Sequence, residues 1–347
     1  MVSGRDEGTN PVLSVVVMCY NHEDFIGECL QSIVTQELDV PFEIIVGDDG
    51  SKDQSVAIVE AYQGHYPGLV RLVRHPANIG YSRNLADLIA AVRGDFIAYI
   101  DGDDLMLPGK LTRQLALLRA QPELGMVVHK MRTVDWRSKE PVDFPLARAK
   151  PAVFDAEYLI EHGPFFFGSS AMFRSDLRRR YPVDTTLKIV ADVANLTQSL
   201  YGSKARYLDE EYGLYRVNPK GFTSTIIKNP AKHETHVSDM MHTYVIAEAL
   251  GMDKALVDRA RATLYLRSAI MFLEAGDYAE FRRYIQTSMR YSRIGAKQAW
   301  LHAMHRQPAV LRSLYALAKQ LANRARATHR ATHPPGAAGS LQPLQRE

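Results

Sequence analysis

Short apolar runs rich in β-branched residues recur through the first hundred positions: 12–18 (VLSVVVM), 42–48 (FEIIVGD), 69–73 (LVRLV) and 95–100 (DFIAYI). Each is too short for a helix and too uniformly apolar for a strand with one wet face. They read as strands buried on both sides of a parallel sheet. Between them the spacing turns helical. Phe25, Cys29 and Ile33 recur every four residues, Val56 and Val59 pair with Tyr62, and Leu85 and Leu88 pair with Ala91 and Val92. Four strand and helix alternations predict a doubly wound α/β sheet, in which ligands bind beyond the carboxyl ends of the strands.

Later segments extend the pattern. KLTRQLALLRA after Pro108 reads as a helix with proline in its first turn. Strands are expected at 125–134, at 169–173 after Phe165-Phe166-Phe167-Gly168, and near 205–217, with a helix near 189–200. PKGFTST at 219–225 reads as a flexible loop. Beyond Pro230 strand-like runs stop and helical spacing dominates to about residue 323. The expected organisation is a disordered N-terminus over 1–10, an α/β domain over 11–229, a helical region over 230–330 and a disordered tail over 331–347.

The strand-end rule gives the polar residues a role, because Tyr20-Asn21, Asp48-Asp49-Gly50-Ser51 and Asp101-Gly102-Asp103-Asp104 all fall at strand ends. Carboxylates two apart on extended backbone can face one hard cation, which takes oxygen ligands together with substrate phosphates. Gly102 would let phosphates approach the backbone. A solvated turn explains the same four residues without function. For Asp48-Asp49-Gly50-Ser51 the plain alternative is a turn with Ser51 or Asp53 capping the next helix. Asn78 or Ser82 would likewise cap the helix that carries Arg83.

Composition narrows the class. The chain has 347 residues, 46% hydrophobic and 23% charged, which suits a soluble globular protein of about two domains. Its two cysteines, Cys19 and Cys29, lack the spacing of a zinc site and read as buried thiols in a reducing compartment. The N-terminus MVSGRDEGTN has neither the basic flank nor the apolar run of a signal peptide, and no run of about 18 apolar residues predicts a membrane span. No GxGxxG follows the first strand and no GxxxxGK[ST] exists, which argues against a dinucleotide oxidoreductase and a P-loop kinase. A phosphate site built from carboxylates must then recruit a metal.

Taken in order and spacing, SVVVMCYNHEDFIGECLQSIVTQ, EIIVGDDGSKDQS, NIGYSRN and GDFIAYIDGDDLMLPGKL resemble the family 2 glycosyltransferases of the GT-A fold, over about residues 11–220. The resemblance implies a GT-A doubly wound mixed sheet, a nucleotide-sugar donor such as a UDP-sugar, a divalent Mn²⁺ or Mg²⁺, and inversion at the anomeric carbon. Tyr20 and Asp49 match positions that contact the base, with Asn21 and Glu23 beside them at the donor site. Asp101 matches the ribose- and metal-side carboxylate and Asp103 the metal ligand. Asp192 would be the general base, although Ala191 stands where the family usually has an acid. Gly168-Ser169-Ser170 resembles the acceptor-side segment. Arg83 borders the nucleotide, and Tyr215-Arg216 matches an aromatic–basic pair in which Arg216 would meet phosphate; a surface arginine on an edge strand is the other reading.

The expected activity is transfer of a sugar to a hydroxyl of a glycan, lipid-linked or other acceptor, in cell-surface polysaccharide or other glycan assembly. A nucleotidyltransferase of similar fold and a silent scaffold in a glycan-assembly complex are the alternatives. The former would need a basic, glycine-rich loop after strand one, which is missing.

From Arg282 to Arg346 there are twelve Lys or Arg and no Asp or Glu, leaving a balance of −8 over residues 1–281. Residues 253–274 and 309–323 have amphipathic helical spacing. Such helices pack on the protein's own core, or lie on an anionic membrane surface. The tail lacks the interleaved aromatics of a nucleic-acid platform, so no nucleic acid is expected. The expected location is cytoplasmic, with the tail adding a peripheral position on the inner face of the membrane.

Overall fold

The computed structural model describes residues 10–142, 144, 150–188, 191–218, 230–317 and 320. The expected loop over 219–225, the tail over 331–347 and all but Asn10 of the expected N-terminal segment lie outside the described residues. The chain divides into two compact units, Met1–Ala260 and Arg261–Glu347.

The first unit is built on one mixed sheet. The apolar runs form β1 (Leu13–Cys19), β2 (Phe42–Asp48), β3 (Val70–Arg74) and β4 (Phe96–Asp101). Every residue of β1 and β2 is buried, as expected for strands covered on both faces. β5 (Leu105–Met106), β6 (Leu124–Asp135), β7 (Val153–Phe154), β8 (Met172–Arg174) and β9 (Lys204–Val217) complete the sheet. The order is β3-β2-β1-β4-β8-β6-β9-β5, with β7 on β9. The first four strands are parallel, and β8 runs antiparallel between β4 and β6.

Helices α1 (Ile26–Val34), α2 (Ser55–His65), α3 (Tyr81–Ala91) and α4 (Lys110–Ala120) join or follow the early strands. α1 turns Ile26, Cys29, Leu30 and Ile33 into the core and α4 turns in Leu111, Leu115 and Leu118. α5 (Ala156–His162), α6 (Ser175–Arg180), α7 (Ala191–Leu200) and α8 (Pro230–Ala249) follow. Cys19 and Cys29 are buried and free, as expected.

Local expectations fail where a loop competes with a pattern. Residues 169–173 are not one strand: Gly168–Ser170 forms a 3-10 turn and only Met172–Arg174 is extended. The segment 205–217 is a single strand whose pairing to β6 slips at bulges. Pro108 precedes α4 rather than entering it, because Gly109, with φ of 83°, is the residue before the first turn. Gly80 occupies that position before α3, and neither Asn78 nor Ser82 caps it; the Ser82 hydroxyl donates to the Leu187 carbonyl at 2.6 Å. Gln54 precedes α2, and Asp53 instead accepts from the Ser55 amide at 3.0 Å.

Among the described residues no strand follows β9, and helices run from residue 230, including α9 (Lys254–Ala275), α10 (Tyr278–Tyr291) and α11 (Ala296–Ala303); residues 308–317 form a further helix, α12. In the second unit α10 buries Phe281, Tyr284 and Ile285, and Asp277 caps it by accepting from the Glu280 amide. Among the described residues no helix is long and apolar enough to cross a membrane.

Candidate active site

Strand register assembles the site. Cys19 lies opposite Asp48 and Met18 opposite Asp101, so β1, β2 and β4 deliver Tyr20, Asp49 and the Asp101 turn to one end of the sheet. Tyr20 is 41% exposed there. Asn21 takes φ of 53°, one of only two non-glycine residues with positive φ among those described. Its amide donates to Ser51 Oγ, and its Oδ1 accepts from the Lys52 amide. The Glu23 amide donates to Asp53, and the Glu23 carboxylate accepts from the Gln54 amide. Asn21 and Glu23 thus tie the loop after β1 to the loop after β2. Asp49 is buried and accepts from the amides of Ile79 and Gly80 at 2.7 and 3.1 Å, tying in the loop after β3. Gly50 allows this, since a Cβ there would come within 2.4 Å of the Ala77 carbonyl carbon.

The acidic turn is held from three sides. Asp101 Oδ1 accepts from the Tyr99 hydroxyl at 2.5 Å, and Tyr99 in turn meets the Tyr81 hydroxyl at 2.9 Å. Ser169 Oγ accepts from the Asp101 amide at 3.0 Å and lies 3.4 Å from Oδ2. Burial, then the charge of Asp103, raises the Asp101 carboxyl to about 7. Burial also raises Asp104 well above the usual carboxylate range, with Asp103 and Asp101 adding to it. Beneath the turn Lys110 is fully buried and donates to the Ser169 carbonyl at 2.6 Å; burial lowers its ammonium to about 7.

Asp103 is half-buried, and among the described residues none donates a hydrogen bond to its carboxylate. Asp192, in the first turn of α7, has one oxygen accepting from the Val193 amide, and burial raises its carboxyl. It is near enough to Asp101 and Tyr81 for its charge to act on both.

Two residues have jobs other than those expected. Arg216 is neither a surface nor an edge residue: it is 3% exposed, on a strand flanked by β6 and β5. Its guanidinium donates to the Asp103 carbonyl at 2.7 Å and pairs with Glu28, while its amide donates to Asp104. It braces the acidic turn from behind. Gly102 is needed for internal packing, since a Cβ would sit 2.8 Å from the Met18 carbonyl and 2.9 Å from His22 Nδ1. Arg83 is exposed on the first turn of α3. Tyr99, Tyr81 and Glu28 were not foreseen. Tyr99 lies two residues before Asp101 on the same strand face, which is the one sequence signal that would have found it.

Among the described residues no cluster of three or more His, Cys, Asp or Glu is arranged to hold a metal. Asp101 and Asp103 do fit a cation that takes one or two carboxylates and completes its shell with phosphate oxygens and water. The charge of Asp103, which adds to burial in raising Asp101, is charge that such a cation would offset.

A family model described as glycosyl transferase family 2 matches residues 14–181. The uncharacterized glycosyltransferase EpsJ of Bacillus subtilis is 30% identical over 233 residues, covering 65% of this chain and 66% of that protein. The poly(ribitol-phosphate) beta-glucosyltransferase of Bacillus spizizenii is 25% identical over 206 residues, covering 58% of this chain and 32% of that protein. The chain spans about two fifths of the length of several mycobacterial relatives, 39% in each case. Among solved structures, S. aureus TarS 1-349 in complex with UDP superposes with a TM-score of 0.61 at 18% identity, covering 86% of this chain and 88% of that one. A mannosyltransferase of Pyrobaculum calidifontis in complex with GDP-Man and Mn2+ gives 0.58 at 20% identity, covering 93% and 85%. The structural likenesses establish the fold, a GT-A-type mixed sheet followed by a helical region. The family match and the glycosyltransferase relatives support assignment to glycosyltransferase family 2.

Proposed function

We propose that this chain works as a family 2 glycosyltransferase, moving a sugar from a nucleoside diphosphate donor, a UDP-sugar in the simplest case, to an acceptor hydroxyl with inversion. One observation carries the reading: strand register and the Ser169 turn hold Asp101, two residues before Asp103 on the same turn, within electrostatic reach of Asp192. The first two suit a diphosphate with its cation and the third suits an acceptor proton.

In this reading Tyr20 and Asp49 border the base, with Asn21, Glu23 and Arg83 around the nucleotide. Asp49 contributes chiefly by fixing the loop at 79–80, because both its oxygens already accept amides. A bound Mn²⁺ or Mg²⁺ would offset the charge that builds on the departing diphosphate, with Asp103 and Asp101 holding it. Asp192 takes the proton from the acceptor hydroxyl as that oxygen attacks the anomeric carbon and the bond to the diphosphate breaks. One displacement with no covalent intermediate inverts the centre. Burial suits Asp192 to this work, because a carboxylate of raised pKa is a better base near neutral pH. Arg216 holds the Asp103 backbone and leaves the carboxylate free.

The names of the relatives support a place in surface polymer assembly, since one is a poly(ribitol-phosphate) beta-glucosyltransferase. For the tail, the described part of the second unit supports a membrane-facing role. Leu301 and Leu311 are buried, but Trp300, Val310, Leu314 and Leu317 are 41–54% exposed within the stretch that has basic residues and no acids.

The test is a panel of nucleotide sugars incubated with the full chain and Mn²⁺. Release of a nucleoside diphosphate and free sugar from one member, abolished by EDTA, supports the reading. Release of pyrophosphate with a nucleotidyl product would overturn it in favour of nucleotidyl transfer, and inertness toward every donor would favour a scaffold.

A further inference from the structure

A cleft of about 680 Å³ opens away from the candidate active site. Its walls include Asn10, just before β1, and Val92 and Arg93, just before β4. It therefore lies by the amino ends of strands whose carboxyl ends carry the acidic turns. Its size falls within the roughly 300–1,000 Å³ of small-molecule sites.

Three arginines line the cleft, Arg93, Arg178 and Arg179, and none of the described residues lining it is acidic. They are not equivalent. Arg93 is engaged by Glu43, which accepts from its Nε and Nη2 at 2.9 and 2.7 Å. Arg178 is 3% exposed; Nη1 donates to the Tyr181 carbonyl at 3.2 Å, and Nη2 has no partner among the described residues. Arg179 is exposed and donates through Nη2 to the Val92 carbonyl at 2.7 Å. A guanidinium carries five N–H donors, so Arg178 and Arg179 both keep donors in reserve. A buried cation with an unpaired donor is costly to maintain unless an anion completes it, and Nη2, buried here, would turn toward the cleft to meet one. Burial lowers the Arg178 pKa to about 10, and only Tyr81 acts against it.

Ile89, Val92 and Pro182 also line the cleft, giving it an apolar side next to the basic one. Spare guanidinium donors match phosphate oxygens in geometry and charge. We propose that this cleft is a binding site for a phosphate-bearing ligand with an apolar portion, its phosphate on Arg178 and Arg179 and its apolar part against Ile89, Val92 and Pro182. None of these residues belongs to the candidate active site, so the proposal stands apart from the assignment of glycosyl transfer.

Octyl phosphate, inorganic phosphate and octyl glucoside, each titrated into the full chain by calorimetry, test it. Octyl phosphate should bind at least about 10-fold tighter than inorganic phosphate, because only it also buries alkyl surface. Octyl glucoside should not bind. Arg179→Gln, an exposed substitution, should weaken octyl phosphate about 10-fold or more through loss of a charge-assisted contact. Arg178→Lys should weaken it as well, with the melting temperature reporting whether the buried site still folds. A preference for phosphatidic acid over phosphatidylserine vesicles that is lost in Arg179→Gln would identify a lipid phosphate as the natural source, since the tail should bind both lipids, and binding of octyl phosphate without that preference would identify a soluble one. Equal affinity for octyl phosphate and inorganic phosphate, no binding of either, or unchanged affinity in Arg179→Gln would each overturn the proposal.

Discussion

Ser169 and Ser170 are adjacent and buried to 1% and 0%, yet their hydroxyls have unequal duties, and that inequality can be measured. The Ser169 oxygen is the acceptor for the Asp101 amide at 3.0 Å. The Ser170 hydroxyl donates to the Phe167 carbonyl at 2.7 Å and is given no amide to satisfy. Ser169→Ala therefore leaves a buried N–H without an acceptor, a loss of about 1–3 kcal/mol. Ser170→Ala removes one neutral hydrogen bond from a carbonyl, a loss of about 1 kcal/mol. For a unit of this size about 1 kcal/mol moves the midpoint by roughly 2–4 °C, so Ser169→Ala should melt about 2–12 °C below wild type and Ser170→Ala no more than about 4 °C below. Activity should separate them further. The freed Asp101 backbone carries the carboxylate with it, and a displacement near 1 Å at a reacting site can cost about 100-fold. Turnover should fall about 10- to 100-fold in Ser169→Ala and less than about threefold in Ser170→Ala. Scanning calorimetry and donor hydrolysis on the same preparations give both readings. Equal turnover in the two variants would refute the idea that Ser169 positions the acidic turn.

Three further outcomes are expected. Asp192→Asn should keep donor affinity and lower turnover by about 10²–10⁴, the usual contribution of a positioned base, and collapse of donor binding in calorimetry would reassign the residue to structure. His129 is buried, and burial, then the charge of Lys110, lowers it to about 3. The unfolded chain thus binds the extra proton first, and stability is present above pH 6.5 and lost as pH falls from there toward 3. Urea titrations at pH 7 and pH 4 should show an acid loss roughly 3 kcal/mol smaller in His129→Gln than in wild type; equal losses would rule out this histidine as a source of acid sensitivity. The full chain should co-sediment with anionic vesicles at low salt and release as the screening length shrinks from roughly 10 Å at 0.1 M to about 3 Å at 1 M. Deletion from residue 295 should remove that binding, and a soluble truncated chain that binds vesicles equally well would show that the tail is no membrane device.

The central sheet was legible because burial on both faces leaves little room for anything but apolar β-branched residues. All four early strands appear within a residue or two of the expected positions. The strand-end rule also expected Asp49 and the Asp101 turn at one end of the sheet, and register places them there. What pattern could not show is which atoms serve the protein itself. Nothing in the sequence showed that Asn21 and Glu23 each also spend an oxygen on a loop amide. Gly102 looks like a phosphate notch until His22 and Met18 are found against it. Arg216 is 112 residues from Asp104, and nothing in a strand of mixed residues says that it turns inward. The 3-10 turn at Gly168–Ser170 was invisible for the same reason. It exists to meet Asp101 and Lys110, contacts made across the fold.

The central claim is that Asp101 and Asp103 hold a nucleoside diphosphate through a divalent cation. Calorimetric titration of UDP and GDP into the full chain, with Mn²⁺ or with EDTA, tests it most directly when wild type and Asp103→Ala are compared at matched melting temperature. Wild type should bind one of the two in Mn²⁺ and lose that binding in EDTA, and Asp103→Ala should show weak binding that Mn²⁺ does not improve. A folded Asp103→Ala protein that binds either nucleotide with wild-type affinity and full Mn²⁺ dependence would contradict the account.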